Sequence, residues 1–218
     1  MNWAGTRILI LGMARQGISL ARYLAAQGAQ VTLSDAKTAD ALADEMRSLR
    51  DLPITYALGG HTLSLLDACD MVCLSGGVPI DLPIVLEAQR RGMPLSNDAE
   101  IFMAACPAPV IGITGSAGKT TTTTLVGEML KRQYTGDPSV KVWVGGNIGN
   151  PLISDVADIQ VGDRVVMELS SFQLELMTRS PHVACITNVT PNHLDRHDTM
   201  QAYVAAKRRI LDYQRAGD

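Results

Sequence analysis

Residues 109–131 constrain the fold more than any other stretch. An apolar run, Pro109 to Ile113, enters Thr114-Gly115-Ser116-Ala117-Gly118-Lys119-Thr120 and leaves as a Thr-rich helical segment from Thr120 to Lys131. A strand that turns through glycines into a helix makes an anion cradle. Backbone N–H groups can approach the anion closely, the helix N-terminus adds partial positive charge, and Lys119 supplies a full one. Thr120 then offers a hydroxyl to Mg²⁺. The spacing departs from Gly-x-x-x-x-Gly-Lys-Ser/Thr, because Ile113 stands where the first glycine belongs and Gly112 lies one residue early. The segment reads as a shortened phosphate loop, the alternative being a glycine-rich turn without a ligand.

The same alternation recurs along the chain. Arg7 to Leu11 is a strand-type run, followed by Gly12 to Gly17 and an amphipathic segment from Ile18 to Gln27 that stops at Gly28. Gln30 to Ser34 is a second strand, closing on Asp35. Further strands are predicted at 54–58 and 71–75, with helices at 40–49 and 82–91. After the proline-containing stretch Ala104 to Pro109, strands are predicted at 110–114, 140–144, 164–168 and 183–188, and helices at 120–133, 151–156 and 199–214. Strands alternating with helices imply parallel sheets. Two prolines close together disfavour both helix and strand interiors, so the boundary is placed there, with domains at 1–106 and 107–218. The fold class is α/β: a Rossmann-like parallel-sheet domain, then a P-loop-type α/β ATPase domain expected to be incomplete.

Composition narrows the function classes. With 218 residues there is chain for two domains of about 100 residues, each able to bury a core. A formal net charge of -3 gives no basic surface for nucleic acid. The N-terminus runs directly into a strand without a signal-peptide pattern, and no apolar run approaches the ~20 residues that cross a bilayer. Cys69, Cys73, Cys106 and Cys185 form no Cys-x-x-Cys pair and read as reduced residues. A cytoplasmic monomer is expected.

Gly12-x-Ala14-x-x-Gly17 with Asp35 about 20 residues beyond the glycines is close to the dinucleotide fingerprint, but Ala14 replaces the second glycine. NAD, another nucleotide and an empty turn all remain open readings. The turn Leu74 to Pro79 is a second candidate wall for a ligand, or simply a turn. In the second half, the strand Arg164 to Glu168 ends in a carboxylate, as a metal ligand near phosphates would, or as an ordinary polar strand end. His193 lies in a loop with Asp195, Arg196 and His197. It is a metal ligand, a substrate contact or a surface histidine. Spacing gives Lys207 no preference over Arg208 or Arg209.

Together these residues resemble the Mur ligase family over the whole chain. The resemblance rests on Thr-Gly-Ser-Ala-Gly-Lys-Thr-Thr at 114–121, Gly-Gly-Asn-Ile-Gly at 145–149, Glu-Leu-Ser-Ser-Phe-Gln-Leu-Glu at 168–175, Asn-Val-Thr-Pro-Asn-His-Leu-Asp-Arg-His at 188–197 and Tyr-Val-Ala-Ala-Lys at 203–207. The second and third of these point to the branch that adds D-glutamate to UDP-N-acetylmuramoyl-L-alanine. The resemblance implies an ATP- and Mg²⁺-dependent amide ligase of peptidoglycan precursor synthesis, proceeding through an acyl phosphate. A nicotinamide-dependent oxidoreductase and a non-catalytic nucleotide-binding module are the alternatives.

The resemblance also implies site residues. Ala14, Arg15 and Gln16, then Asp35, Ala36 and Lys37, then Ser75, Gly76 and Gly77, surround the uridine diphosphate of the substrate. Gly115, Ser116, Ala117, Gly118, Lys119, Thr120 and Thr121 bind ATP, and Asn147, Ser170 and His193 serve the acyl end. Thr120, Glu168, His193 and a carbamylated Lys207 hold Mg²⁺, and Lys119, His193 and Lys207 carry catalysis. Three departures stand out: Ala117 where the family has Asn, Gln16 where Ser or Thr is common, and Gly76 where Pro is common. The family also has a C-terminal domain that completes the ATP site and contacts the incoming amino acid. The 218 residues are expected to bind the UDP-substrate but not to ligate alone.

Overall fold

The computed structural model describes residues 2–192, 196, 197 and 199–218. The chain divides into two compact units, Met1–Asp98 and Ala99–Asp218.

The first unit holds five parallel strands: β1 (Arg7–Leu11), β2 (Gln30–Asp35), β3 (Ile54–Leu58), β4 (Met71–Leu74) and β5 (Leu95–Asn97), in the order β3-β2-β1-β4-β5. β1 is central, pairing with β2 from Arg7↔Gln30 to Leu11↔Ser34 and with β4 from Ile8↔Met71 to Leu11↔Leu74. Its residues Ile8 to Leu11 are buried, the continuous apolar run expected of a strand covered on both faces. Helix α1 (Arg15–Ala26) presents Gly17, Leu20, Ala21 and Leu24 to the core, the i, i+3, i+4, i+7 stripe of an amphipathic helix. Helix α2 (Ala43–Ser48) is short, and α3 (Pro83–Arg90) starts on a proline at its first turn and buries Ile84, Val85 and Ala88. Consecutive strands run outward from β1 to β3 and then cross to β4 on the other side. The loops after β1 and β4 therefore open a crevice at the carboxyl ends of the strands.

The second unit contains α4 (Asp98–Ala105) from Ala99 onward, strands β6 (Val110–Thr114), β7 (Val142–Gly146), β8 (Arg164–Glu168) and β9 (Val183–Ile186), and helices α5 (Lys119–Gln133), α6 (Ser171–Leu174) and α7 (Met200–Asp212). Its parallel sheet runs β7-β8-β6-β9. The register sets Ile113 and Gly146 on either side of Glu168, so the loops after three strands meet at one end. Val165, Val166, Met167 and Ile113 are buried beneath them.

Several elements differ from expectation. The segment 40–49 breaks into a 3-10 turn at Asp40–Leu42 and the short α2. The expected helix 151–156 is a single 3-10 turn, Leu152–Ser154. β7 starts at Val142 because Asp137 binds the backbone N–H and hydroxyl of Ser139 and folds that stretch into a turn. β5 and α4 have no counterpart in the sequence reading. Three residues are too few for a period, and α4 is apolar around most of its circumference, with Ala99, Ile101 and Phe102 buried. All four cysteines are free.

Candidate nucleotide and phosphoryl-transfer site

In the second unit the loop between β6 and α5 is held from both sides. Ser116 N donates to Asn188 O (2.9 Å), and Asn188 returns with its side chain, accepting from Ala117 N (3.0 Å) and donating to Ala117 O (2.9 Å). Thr187 Oγ1 donates to Ala117 O as well (2.7 Å). Ala117 is thus held through its backbone, and its side chain is exposed. The Ser116 hydroxyl donates to Thr190 O (2.9 Å), accepts from Thr190 N (3.0 Å) and lies 3.1 Å from the Tyr203 hydroxyl.

Gly115 sits at φ 152°, and a Cβ there would fall on Thr187 Oγ1. Gly115→Ala must therefore displace Thr187 from the loop as well as strain the backbone. It is expected to lower stability by about 2–3 kcal/mol, read by chemical denaturation.

Three functional side chains converge on this loop. Glu168, 1% exposed at the end of β8, accepts from Thr120 Oγ1 (2.8 Å) and from Asn147 Nδ2 (2.9 Å). Lys119 folds its ammonium back onto the loop, donating to Gly115 O (3.0 Å) and Ser116 O (3.4 Å). Lys207 reaches the same carbonyl from α7, donating to Gly115 O (2.9 Å) and Thr114 Oγ1 (3.4 Å), with Nζ 4.6 Å from the Tyr203 ring centroid. Lys207 is 2% exposed. Burial, reinforced by the nearby Lys119 charge, pulls its pKa down to about 8.

Sequence held a signal for Lys207 that spacing within 207–209 did not reveal. Tyr203, Ala206, Lys207 and Ile210 form the buried stripe of α7, and Arg208 and Arg209 fall off it. The same holds for Ser170, which caps α6 in a capping box with Gln173, an S-x-x-Q pattern visible in the chain. Beside it, His197 is buried with Nε2 2.9 Å from Ser171 Oγ, Nδ1 3.3 Å from Glu175, and its ring stacked on Phe172. Burial raises the pKa of Glu175, against the lowering effect of Arg196 and Arg209. Thr121 is an exposed residue of the first turn of α5. His193 lies outside the described residues.

The first unit has a crevice of 520 Å³ whose lining includes Ala14, Asp35, Ala36, Lys37, Ser75 and Gly77. Asp35 accepts from Met13 N (2.7 Å) and Lys37 N (2.9 Å), fixing the loop after β1 to the end of β2. His61 lines the same crevice, with Nδ1 2.7 Å from Ser34 Oγ. Its pKa is lowered by burial, with Asp35 opposing the shift. The Ser75 hydroxyl is buried without a hydrogen-bond partner in the protein. Gln16 meets Gly76, and Arg15 is exposed at the start of α1. The contacts of His61 and Asn188 join segments far apart in sequence, so no local pattern marks either residue.

Oxygen donors of this kind suit Mg²⁺, which retains waters and takes few protein ligands. Glu168 is a buried carboxylate whose hydrogen-bond donors are uncharged, a hydroxyl and an amide, so a cation at its oxygens fits. Among the described residues no group of three or more His, Cys, Asp or Glu forms a separate metal cage.

The profile described as Mur ligase middle domain matches residues 113–218, and the one described as Mur ligase MurD-like, N-terminal domain matches residues 6–97. A protein of Geotalea uraniireducens named UDP-N-acetylmuramoylalanine--D-glutamate ligase is 44% identical over 219 residues, which is 100% of this chain and 47% of that protein. Its namesake from Ruminiclostridium cellulolyticum is 42% identical over 212 residues, 97% of this chain and 44% of that protein. The chain spans about half the length of the curated relatives it matches. A crystal structure of UDP-N-acetylmuramate:L-alanyl-gamma-D-glutamyl-meso-diaminopimelate ligase from Neisseria meningitides superposes with a TM-score of 0.56 at 18% identity, covering 97% of this chain and 69% of that one, a likeness of fold.

Proposed function

The chain belongs to the Mur ligase family, and on that premise we propose that its protein is an ATP-dependent ligase joining D-glutamate to UDP-N-acetylmuramoyl-L-alanine. The observation that carries the reading is the meeting of Lys119, Thr120, Asn147 and Glu168 at the loop after β6. The first unit holds the uridine diphosphate, and the second holds ATP. Both substrates belong to the cytoplasm, and the protein acts as a monomer.

The chemistry is constrained by charge. A carboxylate oxygen of the substrate attacks the γ-phosphorus, ADP leaves, and the resulting acyl phosphate is opened by the amine of D-glutamate. That step releases phosphate and one proton. Anions must approach one another, so the protein's part is positioning and charge compensation. With Ser116 N and Ala117 N engaged by Asn188, Gly118 to Thr121 at the N-terminus of α5 offer backbone donors to the phosphates, and Lys119 offsets charge at the γ-phosphoryl group. Mg²⁺ would supply further positive charge at the phosphates. Thr120 and Glu168 are the residues that would hold it, with His193 assigned to a second ion. Asn147 and Ser170 orient the acyl end.

Lys207 donates to the loop as an ammonium and would become a metal ligand only as a carbamate. A pKa of about 8 leaves roughly a tenth of it neutral at pH 7, the form that reacts with CO₂. In the first unit, Asp35, the Ser75 hydroxyl and the loops around Ala14–Gln16, Ala36–Lys37 and Gly76–Gly77 receive the nucleotide.

Calorimetric titration of the chain with UDP-N-acetylmuramoyl-L-alanine, NAD and ATP tests the assignment. Saturable binding of the UDP compound and no binding of NAD is expected. NAD binding without UDP-ligand binding would replace the ligase reading with that of an oxidoreductase.

A further inference from the structure

The turn that gives the crevice of the first unit Ser75 and Gly77 makes a contact that the crevice's shape alone does not require. Gly76 N donates to Gln16 Oε1 at 3.0 Å, joining the turn after β4 to the start of α1 across 60 residues of sequence. Gly76 has no left-handed backbone angle that would call for glycine. What a side chain at 76 would meet is Gln16 itself, because a Cβ there would overlap Oε1 and come within 3.1 Å of the amide carbon, so the Gln16 amide would have to leave the turn. The hydrogen bond also decides which way the amide faces. The Gly76 N–H requires an acceptor, so Oε1 is fixed toward the turn and the two hydrogens of Nε2 remain for another acceptor.

We propose that Gln16 and Gly76 are a matched pair: the side chain of one occupies the space left by the other, pins the Ser75–Gly77 turn, and turns the Gln16 NH₂ to an anionic oxygen of the ligand. The pair rests on the reading of this crevice as a nucleoside diphosphate site and specifies how its phosphate wall is built. Ser75 and Gly77 line the crevice and flank the bonded Gly76, so pinning that one amide holds both. Gln16 is therefore a positioning and specificity residue, and a side chain at position 76 is costly only while Gln16 is there to be displaced.

A double-mutant cycle tests the pairing and a charge swap tests the donor. Gly76→Ala is expected to weaken UDP binding about tenfold and to lower the melting temperature, because the new methyl group expels the Gln16 amide. Gln16→Ser should cost a similar factor, since the shorter side chain does not reach Gly76. In the Gln16→Ser background Gly76→Ala should then be close to neutral on both measures. An equal cost of Gly76→Ala in both backgrounds overturns the pairing. Gln16→Glu keeps an oxygen for Gly76 N but replaces the NH₂ with a second carboxylate oxygen. It should hold the melting temperature and weaken UDP at least tenfold more than uridine. Equal effects on UDP and uridine overturn the phosphate-facing donor. If the unaltered chain bound neither compound, the nucleotide reading of the crevice and the donor half of the pair would fall together, and the pairing would still be decided by the melting temperatures of the cycle.

Discussion

Lys119→Ala should leave the protein folded and stop acyl phosphate formation in whatever length of it sustains turnover. The two halves of that expectation have separate causes. Gly115 O, the acceptor nearest Lys119, also receives Lys207 at 2.9 Å, and the loop is held independently by Asn188, Thr187 and Thr190. Removing the Lys119 side chain therefore leaves Gly115 O its bond from Lys207 and costs Ser116 O only a long contact of 3.4 Å, so a melting temperature near that of the unaltered protein is expected. The chemical step has no such substitute. Attack of a carboxylate on a phosphoryl group brings like charges together, and a fixed cation offsets that repulsion without reorganising as the charge develops. Loss of one such group costs about 10³-fold, or about 4 kcal/mol of transition-state stabilisation. Trapping of acyl phosphate in a single turnover measures it, and retained turnover would remove Lys119 from the mechanism. Lys119→Arg should recover little, because a planar fork on a longer stem does not place a point charge where the ammonium sits.

The parts of this site that were legible in sequence are those built from neighbours in sequence. Pro109 to Lys131 carries its own strand, glycines, lysine and hydroxyl. Arg164 to Glu168 ends a continuous apolar strand in a carboxylate, which the register then sets beside Ile113. What was illegible is held by bonds between distant residues. Asn188 fixes Ala117 across 71 positions, and Ser116 meets Tyr203 across 87. Gln16 and Gly76 each looked like an isolated departure until the structure brought them together. α6 is a different failure, since its capping box was present in the sequence and four residues are simply too few to give a helical period.

Lys207→Met is expected to stabilise the fold while removing the proposed metal-holding carbamate. In carbonate-free buffer Lys207 is an ammonium at neutral pH, 2% exposed, and its partners are a carbonyl, a hydroxyl and the Tyr203 ring. None of them carries an opposite charge, so burial dominates and the pKa falls from 10.5 to about 8. That difference corresponds to on the order of 3 kcal/mol of strain in the charged folded state. Between pH 8 and 10.5 the unfolded chain binds the proton and the folded one does not, so the stability of the unaltered protein rises with pH through that window. The advantage of Lys207→Met should be full below pH 8 and fade above it, because methionine has nothing to titrate. Gly115 O keeps its bond from Lys119, so the substitution strands no acceptor there. Denaturation curves of both proteins between pH 6.5 and about 10 measure the difference. A pH-independent gap would mean that Lys207 is not a strained ammonium. With ¹³C-labelled bicarbonate added, a carbamate resonance should appear in the unaltered protein and be absent from Lys207→Met, and turnover should disappear with it. The strain that weakens the apo fold is then what keeps the amine neutral often enough to be carbamylated.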